Sequence, residues 1–203
     1  YNLLFHSQCG FAVKRQWSFM KKRGKVPMTR VAIIGNAGGG KSTLCRQLGK
    51  ALDLPVYPVD KLQWKPGWVA VSAQEFHQKH EQLLTQDRWI IDGWGPREDI
   101  EARFQAADTI IFVDHPLVIH YWWTFKRQAK CLFQPRIDGP EGCPMLPMTG
   151  KLIRMIWAIH HQGRPQILHL MNELRTSKCI IHIRSPRELR TFVRTACARG
   201  AEL

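Results

Sequence analysis

Val31-Ala32-Ile33-Ile34-Gly35-Asn36-Ala37-Gly38-Gly39-Gly40-Lys41-Ser42 is the stretch whose reading decides the fold. Its last eight residues match G-x-x-x-x-G-K-S/T, a phosphate-binding loop. The four residues before them are short and apolar and read as a buried strand. The run after them, Thr43 to Leu52, has no Gly or Pro until Gly49 and reads as a helix. Glycines let the backbone take positive φ angles and come close to a ligand. Successive N–H groups then form an anion nest, and the helix that follows adds its positive end and unpaired donors. Gly35, Gly38, Gly39, Gly40, Lys41, Ser42 and Thr43 are therefore the candidate nucleotide-binding residues. Lys41 is placed to reach the β/γ phosphates, and the Ser42 hydroxyl to ligate Mg²⁺.

Outward from this unit, strands and helices alternate, which points to a parallel sheet with helices on both faces. Strands are expected at 30–34, 55–59, 88–92, 109–113 and 179–183. Helices are expected at 41–52, 72–85, 96–106, 117–130 and 186–198. Ser72 reads as an N-cap with Glu75 as its capping-box partner. Residues 61–71 read as a loop. Residues 131–150 hold four prolines and three glycines, and read as a mobile lid. A long helical stretch follows from about 151 to 174, broken by Gly163 and Pro165.

The 203 residues suit one α/β domain. No apolar run approaches the roughly 20 residues that span a bilayer, so no membrane partner is expected. Six scattered cysteines (9, 45, 131, 143, 179, 197) form no C-x-x-C pair. That pattern suits reduced thiols in a cytoplasmic protein. The net charge is +14. Residues 1–27 hold Lys14, Arg15, Lys21, Lys22, Arg23 and Lys25 and no acid, and read as a basic extension ahead of a domain at 28–203. It could be an upstream product, a targeting segment or a nucleic-acid-binding arm. From Tyr121 to Arg199, fourteen Lys/Arg face only Asp138, Glu141, Glu173 and Glu188. Such a surface favours polyanions, either nucleotide phosphates or nucleic acid.

In an open parallel sheet, ligands bind beyond the carboxyl ends of the strands. Those ends present Gly35, Asp60, Asp92, Asp114 and Arg184. Carboxylates beside a phosphate loop suit magnesium-dependent phosphoryl transfer, one holding the ion through water and another orienting the acceptor. Asp92, at the end of a β-type run and before Gly93, is the metal candidate together with Ser42. Asp114, before Pro116, reads as a helix N-cap. The pair His160-His161 lies in a helical stretch and reads as surface or packing.

The phosphate loop, Asp92-Gly93-Trp94-Gly95-Pro96-Arg97 and the late lid resemble the adenylate-kinase-type P-loop kinases. Asp60-Lys61-Leu62-Gln63-Trp64-Lys65-Pro66-Gly67-Trp68 and Arg184-Ser185-Pro186-Arg187-Glu188 resemble a subgroup labelled DNA topology modulation proteins. The resemblance covers about 28–195. It implies a three-layer P-loop NTPase fold with about five parallel strands, a lid insertion, and ATP and Mg²⁺ as cofactors. It implies Arg97 as an acceptor contact, although one extra residue separates Gly93 from Pro96. It implies Arg127 as a catalytic lid arginine, with Arg136 as a second, and Arg184 beside the adenine. Where the family has an earlier lid arginine, this chain has Trp123, which either stacks on a base or packs in the core. Some related kinases hold zinc in the loop flanked here by Cys131 and Cys143, but two ligands make a weak site.

The expected function is transfer of the ATP γ-phosphoryl group to a nucleotide or nucleotide-like acceptor, in a pocket marked by Asp60, Trp64 and Arg97. The alternatives are a nucleic-acid-associated NTPase and a nucleotide-binding module without efficient catalysis. No helix-turn-helix, zinc finger or RNA-binding motif supports nucleic acid as a partner.

Overall fold

The computed structural model describes residues 28–131, 142–144 and 146–200. The basic segment 1–27 and Arg136 lie outside the described residues. Five strands form one parallel sheet: β1 (Arg30–Gly35), β2 (Val56–Pro58), β5 (Trp89–Asp92), β6 (Thr109–Val113) and β7 (Cys179–Ile183). Their spatial order is β2-β5-β1-β6-β7, and each neighbouring pair is parallel. The phosphate-loop strand is thus central, and every residue of it after Arg30 is buried.

Alternation along β1 assigns the two faces. Val31 and Ile33 join Leu44, Cys45 and Leu48 of α1 (Lys41–Leu52) and Phe192 and Ala196 of α8 (Pro186–Gly200) in one cluster. Ala32 and Ile34 join Phe76 of α3 (Ala73–Leu84), Ile100 and Phe104 of α4 (Arg97–Ala106), and Ile167 and Met171 of α7 (Arg164–Glu173) in the other. Continuous apolar strands covered on both sides are what a parallel sheet requires. The result is the expected three-layer α/β arrangement.

Departures from the sequence reading are local. Within 61–71 the chain forms a short helix, α2 (Val59–Gln63), and a two-stranded antiparallel hairpin, β3 (Trp64–Lys65) with β4 (Val69–Ala70). Ser72 caps α3 by accepting from the Glu75 N–H at 3.1 Å. The Glu75 carboxylate does not close the box; it pairs with Lys65 and Lys79. Helix α5 runs Leu117–Cys131. After the 132–141 segment, a 3₁₀ turn at Leu146–Met148 leads into α6 (Thr149–Ala158), so regular structure begins earlier than composition implied.

Gly163 and Pro165 do not break the long helix. The chain passes from α6 into α7 through a π turn at Ile159–Gly163. Pro165 lies in the first turn of α7, directly after the π turn, a position that tolerates proline better than a helix interior does. Gly163 is needed for space, since a Cβ there would lie 2.7 Å from the Trp94 ring. Asp114 is not a helix cap. Its carboxylate accepts from Arg164 Nε at 2.7 Å and Nη2 at 3.0 Å, and from His182 Nε2 at 2.8 Å. It therefore ties the start of α7 to the ends of β6 and β7.

Candidate active site

A cleft of about 790 Å³ opens at the carboxyl end of the sheet. Its floor is the phosphate loop. Gly38 has φ 67°, and a Cβ there would sit 2.3 Å from Thr124 Oγ1 and 2.6 Å from the His120 carbonyl oxygen. The loop is therefore pressed against α5, and only glycine fits. Gly40, also in the left-handed region, leads into α1 with no side-chain cap, which leaves the helix N–H groups directed at the cleft. Lys41 Nζ donates to the Asn36 carbonyl at 3.0 Å.

Three side chains hold this loop in place. Buried Asn36 donates from Nδ2 to the Ile156 carbonyl of α6 at 2.7 Å, while its Oδ1 accepts from the Ala37 N–H at 2.8 Å. Trp94 donates from Nε1 to the Gly35 carbonyl at 2.9 Å, and the far end of its ring abuts Gly163. His120 is buried, and desolvation pushes its pKa down to about 4. Its neutral ring contacts the Ala37 carbonyl through Nδ1 at 2.9 Å; because that oxygen can only accept, Nδ1 carries the proton.

Asp92, at the end of β5, is buried and accepts from the Cys45 thiol at 3.2 Å. Burial raises the Asp92 pKa, opposed by the Lys41 charge and the thiol hydrogen bond. Burial, with Asp92 second, pushes the Cys45 thiol well above its ordinary value, so it stays a neutral donor. Beneath the following loop, buried Arg103 donates from Nη2 to the Gly93 carbonyl at 2.8 Å. Desolvation lowers its pKa to about 10, so it remains charged at neutral pH.

Ten of the residues singled out from sequence line the cleft together: Gly38, Gly39, Gly40, Lys41, Ser42, Thr43, Asp60, Trp64, Asp92 and Arg127. Gly35 does not, since it ends β1 behind the loop. Arg97 does not either. With Pro96 as N-cap it becomes the first residue of α4, is 72% exposed, and pairs with Glu101 one turn on at 2.7 Å. The extra residue between Gly93 and Pro96 sets that position. Arg184 also lies outside the lining. Its backbone N–H donates to Glu188 at 2.7 Å, and its exposed guanidinium lies 3.4 Å from His182. Trp123 packs: its ring abuts Gly40 and meets His115 edge-on at 5.4 Å, while also lining the cleft. Sequence reading did not single out Arg46, Lys130, Lys151, Trp68 or Trp94 as cleft residues. Of these, Trp68 and Trp94 lie in the stretches that carry the resemblance, Lys130 and Lys151 belong to the basic run after Tyr121, and Arg46 carried no signal.

Among the described residues no group of three or more His, Cys, Asp or Glu could hold a metal ion. Cys143 instead contacts the hairpin, donating to the Lys65 carbonyl at 3.3 Å. Cys45, Cys131, Cys143, Cys179 and Cys197 are free thiols. No helix among the described residues is long and apolar enough to cross a membrane.

No family model and no curated protein matches the chain. Solved structures do. A gluconokinase from Sinorhizobium meliloti 1021 superposes with a TM-score of 0.51 at 14% identity, over 87% of this chain and 93% of its own. A shikimate kinase from Acinetobacter baumannii in complex with shikimate gives 0.49 at 12% identity, over 89% and 93%. At such identities the likeness speaks for architecture, and the first match with the sheet order and phosphate loop carries it. The chain has the three-layer α/β fold of the P-loop kinases.

Proposed function

We propose that the protein is an ATP-dependent phosphotransferase that moves the γ-phosphoryl group to a small, nucleotide-like acceptor. The observation that carries this reading is one cleft that brings Lys41, Ser42 and buried Asp92 together with Asp60 and Arg127. Its volume suits a bound small molecule and cofactor.

Phosphoryl transfer depends on alignment and charge neutralisation more than on covalent help from the protein. The glycine loop and the α1 N-terminus would hold the donor phosphates. Lys41, released from the Asn36 carbonyl, would reach the β and γ oxygens. The hydroxyl of Ser42 and the carboxylate of Asp92 are hard oxygen donors and fit Mg²⁺, which when bound neutralises phosphate charge. Arg127 and Lys130 of α5 and Lys151 of α6 would face the equatorial oxygens from the lid side. Asp60 would orient the acceptor hydroxyl. Lys41→Ala is the test: with MgATP and an acceptor panel, ADP release and product formation should fall by at least about 10³-fold while far-UV circular dichroism is unchanged. Unchanged turnover would remove the phosphate loop from the reaction.

A second reading, a nucleic-acid-associated NTPase like the topology-modulation subgroup, is favoured by one surface. Trp122 and Phe125 of α5 are exposed with near-parallel rings, and Lys126 sits 4.7 Å over the Trp122 ring. Aromatic and basic groups so placed suit stacked bases. Trp122→Ala with Phe125→Ala should then abolish salt-dependent binding of single-stranded DNA and leave the kinase activity intact.

A further inference from the structure

The acceptor side of the cleft is chemically distinct from the donor side. From residues 60–68 it receives Asp60, Gln63, Trp64 and Trp68, and from the loop after β5 it receives Trp94. Trp64 and Trp68 meet edge-to-face with centroids 5.6 Å apart. The indole N–H of Trp68 is committed to the Pro144 carbonyl at 2.8 Å, and that of Trp94 to the Gly35 carbonyl. These two side chains therefore offer a ligand their ring faces and not their donors. The same hydrogen bonds fix the rings in place, so little rotamer freedom is left to lose on binding. The hairpin is held further by Gly67 N–H donating to the Gly142 carbonyl at 2.9 Å.

The charges on this side point the same way. Both lysines of 60–68 are turned out of the cleft: Lys65 pairs with Glu75 at 3.0 Å, and Lys61 is exposed. Arg97, the expected acceptor contact, is on the outer surface with Glu101. Asp60 lies close enough to Asp92 to raise its pKa. Apart from Lys41 and the lid-side cations, the cleft offers Arg46 against these two carboxylates. With Lys41 and the other cleft cations engaged by the donor phosphates and Asp92 by Mg²⁺, Arg46 is balanced by Asp60, which leaves no surplus positive charge for a second phosphate dianion.

We infer that the acceptor is a neutral, hydroxyl-bearing ring compound, a sugar or a nucleoside, and not a nucleoside monophosphate. This inference rests on the phosphotransferase reading and narrows it. The CH face of a sugar or the flat face of a base packs on the tryptophans. A ring hydroxyl donates to Asp60, and Gln63 accepts from or donates to a neighbouring one. In the transfer, the hydroxyl oxygen bonds to the γ-phosphorus, and the bond from that phosphorus to the β,γ-bridging oxygen breaks. ADP leaves with the electron pair, and the hydroxyl proton passes to the Asp60 carboxylate and on to solvent.

The test uses the full chain with MgATP and four acceptor panels: nucleosides, monosaccharides, nucleoside monophosphates and acyclic polyols. ADP release and product mass are both read. The expected result is a phosphate monoester from a nucleoside or monosaccharide, with kcat/KM at least about tenfold above that for any nucleoside monophosphate. Trp64→Ala should raise the acceptor KM about tenfold without changing the KM for ATP. Trp64→Phe, which keeps a ring and a similar volume, should restore most of it. Preference for a monophosphate or an acyclic polyol overturns the inference and leaves the kinase reading standing. An unchanged acceptor KM in Trp64→Ala overturns the aromatic clamp alone. No product from any panel overturns both readings.

Discussion

Asp114→Asn isolates one electrostatic tie whose size can be worked out. Burial alone would raise the Asp114 pKa, but hydrogen bonds from His182 and Arg164 outweigh it and hold the carboxyl at about 2, against an ordinary 3.8. At about 1.36 kcal/mol per pKa unit this corresponds to about 2.4 kcal/mol. The Arg164 side chain is 39% exposed, so solvent screening trims the figure to about 1.5–2 kcal/mol. The sign follows from the depressed folded-state pKa. The contribution is fully present above the unfolded value near 4 and is lost as pH falls toward 2; near pH 3 roughly half remains. Urea unfolding of the wild type and Asp114→Asn at pH 7 and pH 3 measures it. Asparagine should cost about 2 kcal/mol at pH 7, and the gap should narrow to about 1 kcal/mol at pH 3. A loss under about 0.5 kcal/mol at pH 7, or a gap equal at the two pH values, refutes the reasoning.

Three further substitutions probe the site. Gly38→Ala combines a positive φ with a Cβ 2.3 Å from Thr124 Oγ1; it should lower stability by about 2 kcal/mol or more and weaken ATP binding, read by thermal melts with and without MgATP. Arg97→Ala removes an exposed i,i+4 pair; acceptor KM should stay within about twofold and stability within about 0.5 kcal/mol, and a large rise in acceptor KM would return Arg97 to the site. Asn36→Ala deletes one buried and one partly buried hydrogen bond; it should cost about 2–3 kcal/mol and raise the KM for ATP, whereas an unchanged KM would confine Asn36 to a packing role.

The features legible in the sequence are those encoded over short spans. Val31–Ile34, Trp89–Asp92, Thr109–Val113 and Cys179–Ile183 are apolar runs that can only be covered strands. The glycine loop fixes the central one, so sheet and layers follow. What stayed hidden depends on distant partners. The β3–β4 hairpin has two residues per strand and is held by Gly142 and Cys143, more than seventy positions away. Asn36 reaches a carbonyl 120 residues on. Asp114 looked like a cap because Arg164 and His182 are remote in sequence. Arg97 illustrates a different difficulty: a familiar residue order with one inserted position turns the guanidinium out of the cleft.

The π turn at Ile159–Gly163 sets the rotational phase between two halves of what would otherwise be one helix. Each residue of an α-helix advances the side-chain direction by about 100°, and a π turn accommodates one residue beyond the α count. Leu152 and Ile156 can thereby face Leu117 and Tyr121 of α5, while Ile167 and Met171 face the sheet. A single continuous piece of chain thus serves two surfaces that a straight α-helix would leave out of register. Deleting one residue from the turn would rotate α7 against the sheet by about 100° while leaving every local helix propensity nearly unchanged. The α6 wall of the cleft and the sheet core are in this sense geared to each other by the residue count of one turn, and tolerance of length changes there should be low.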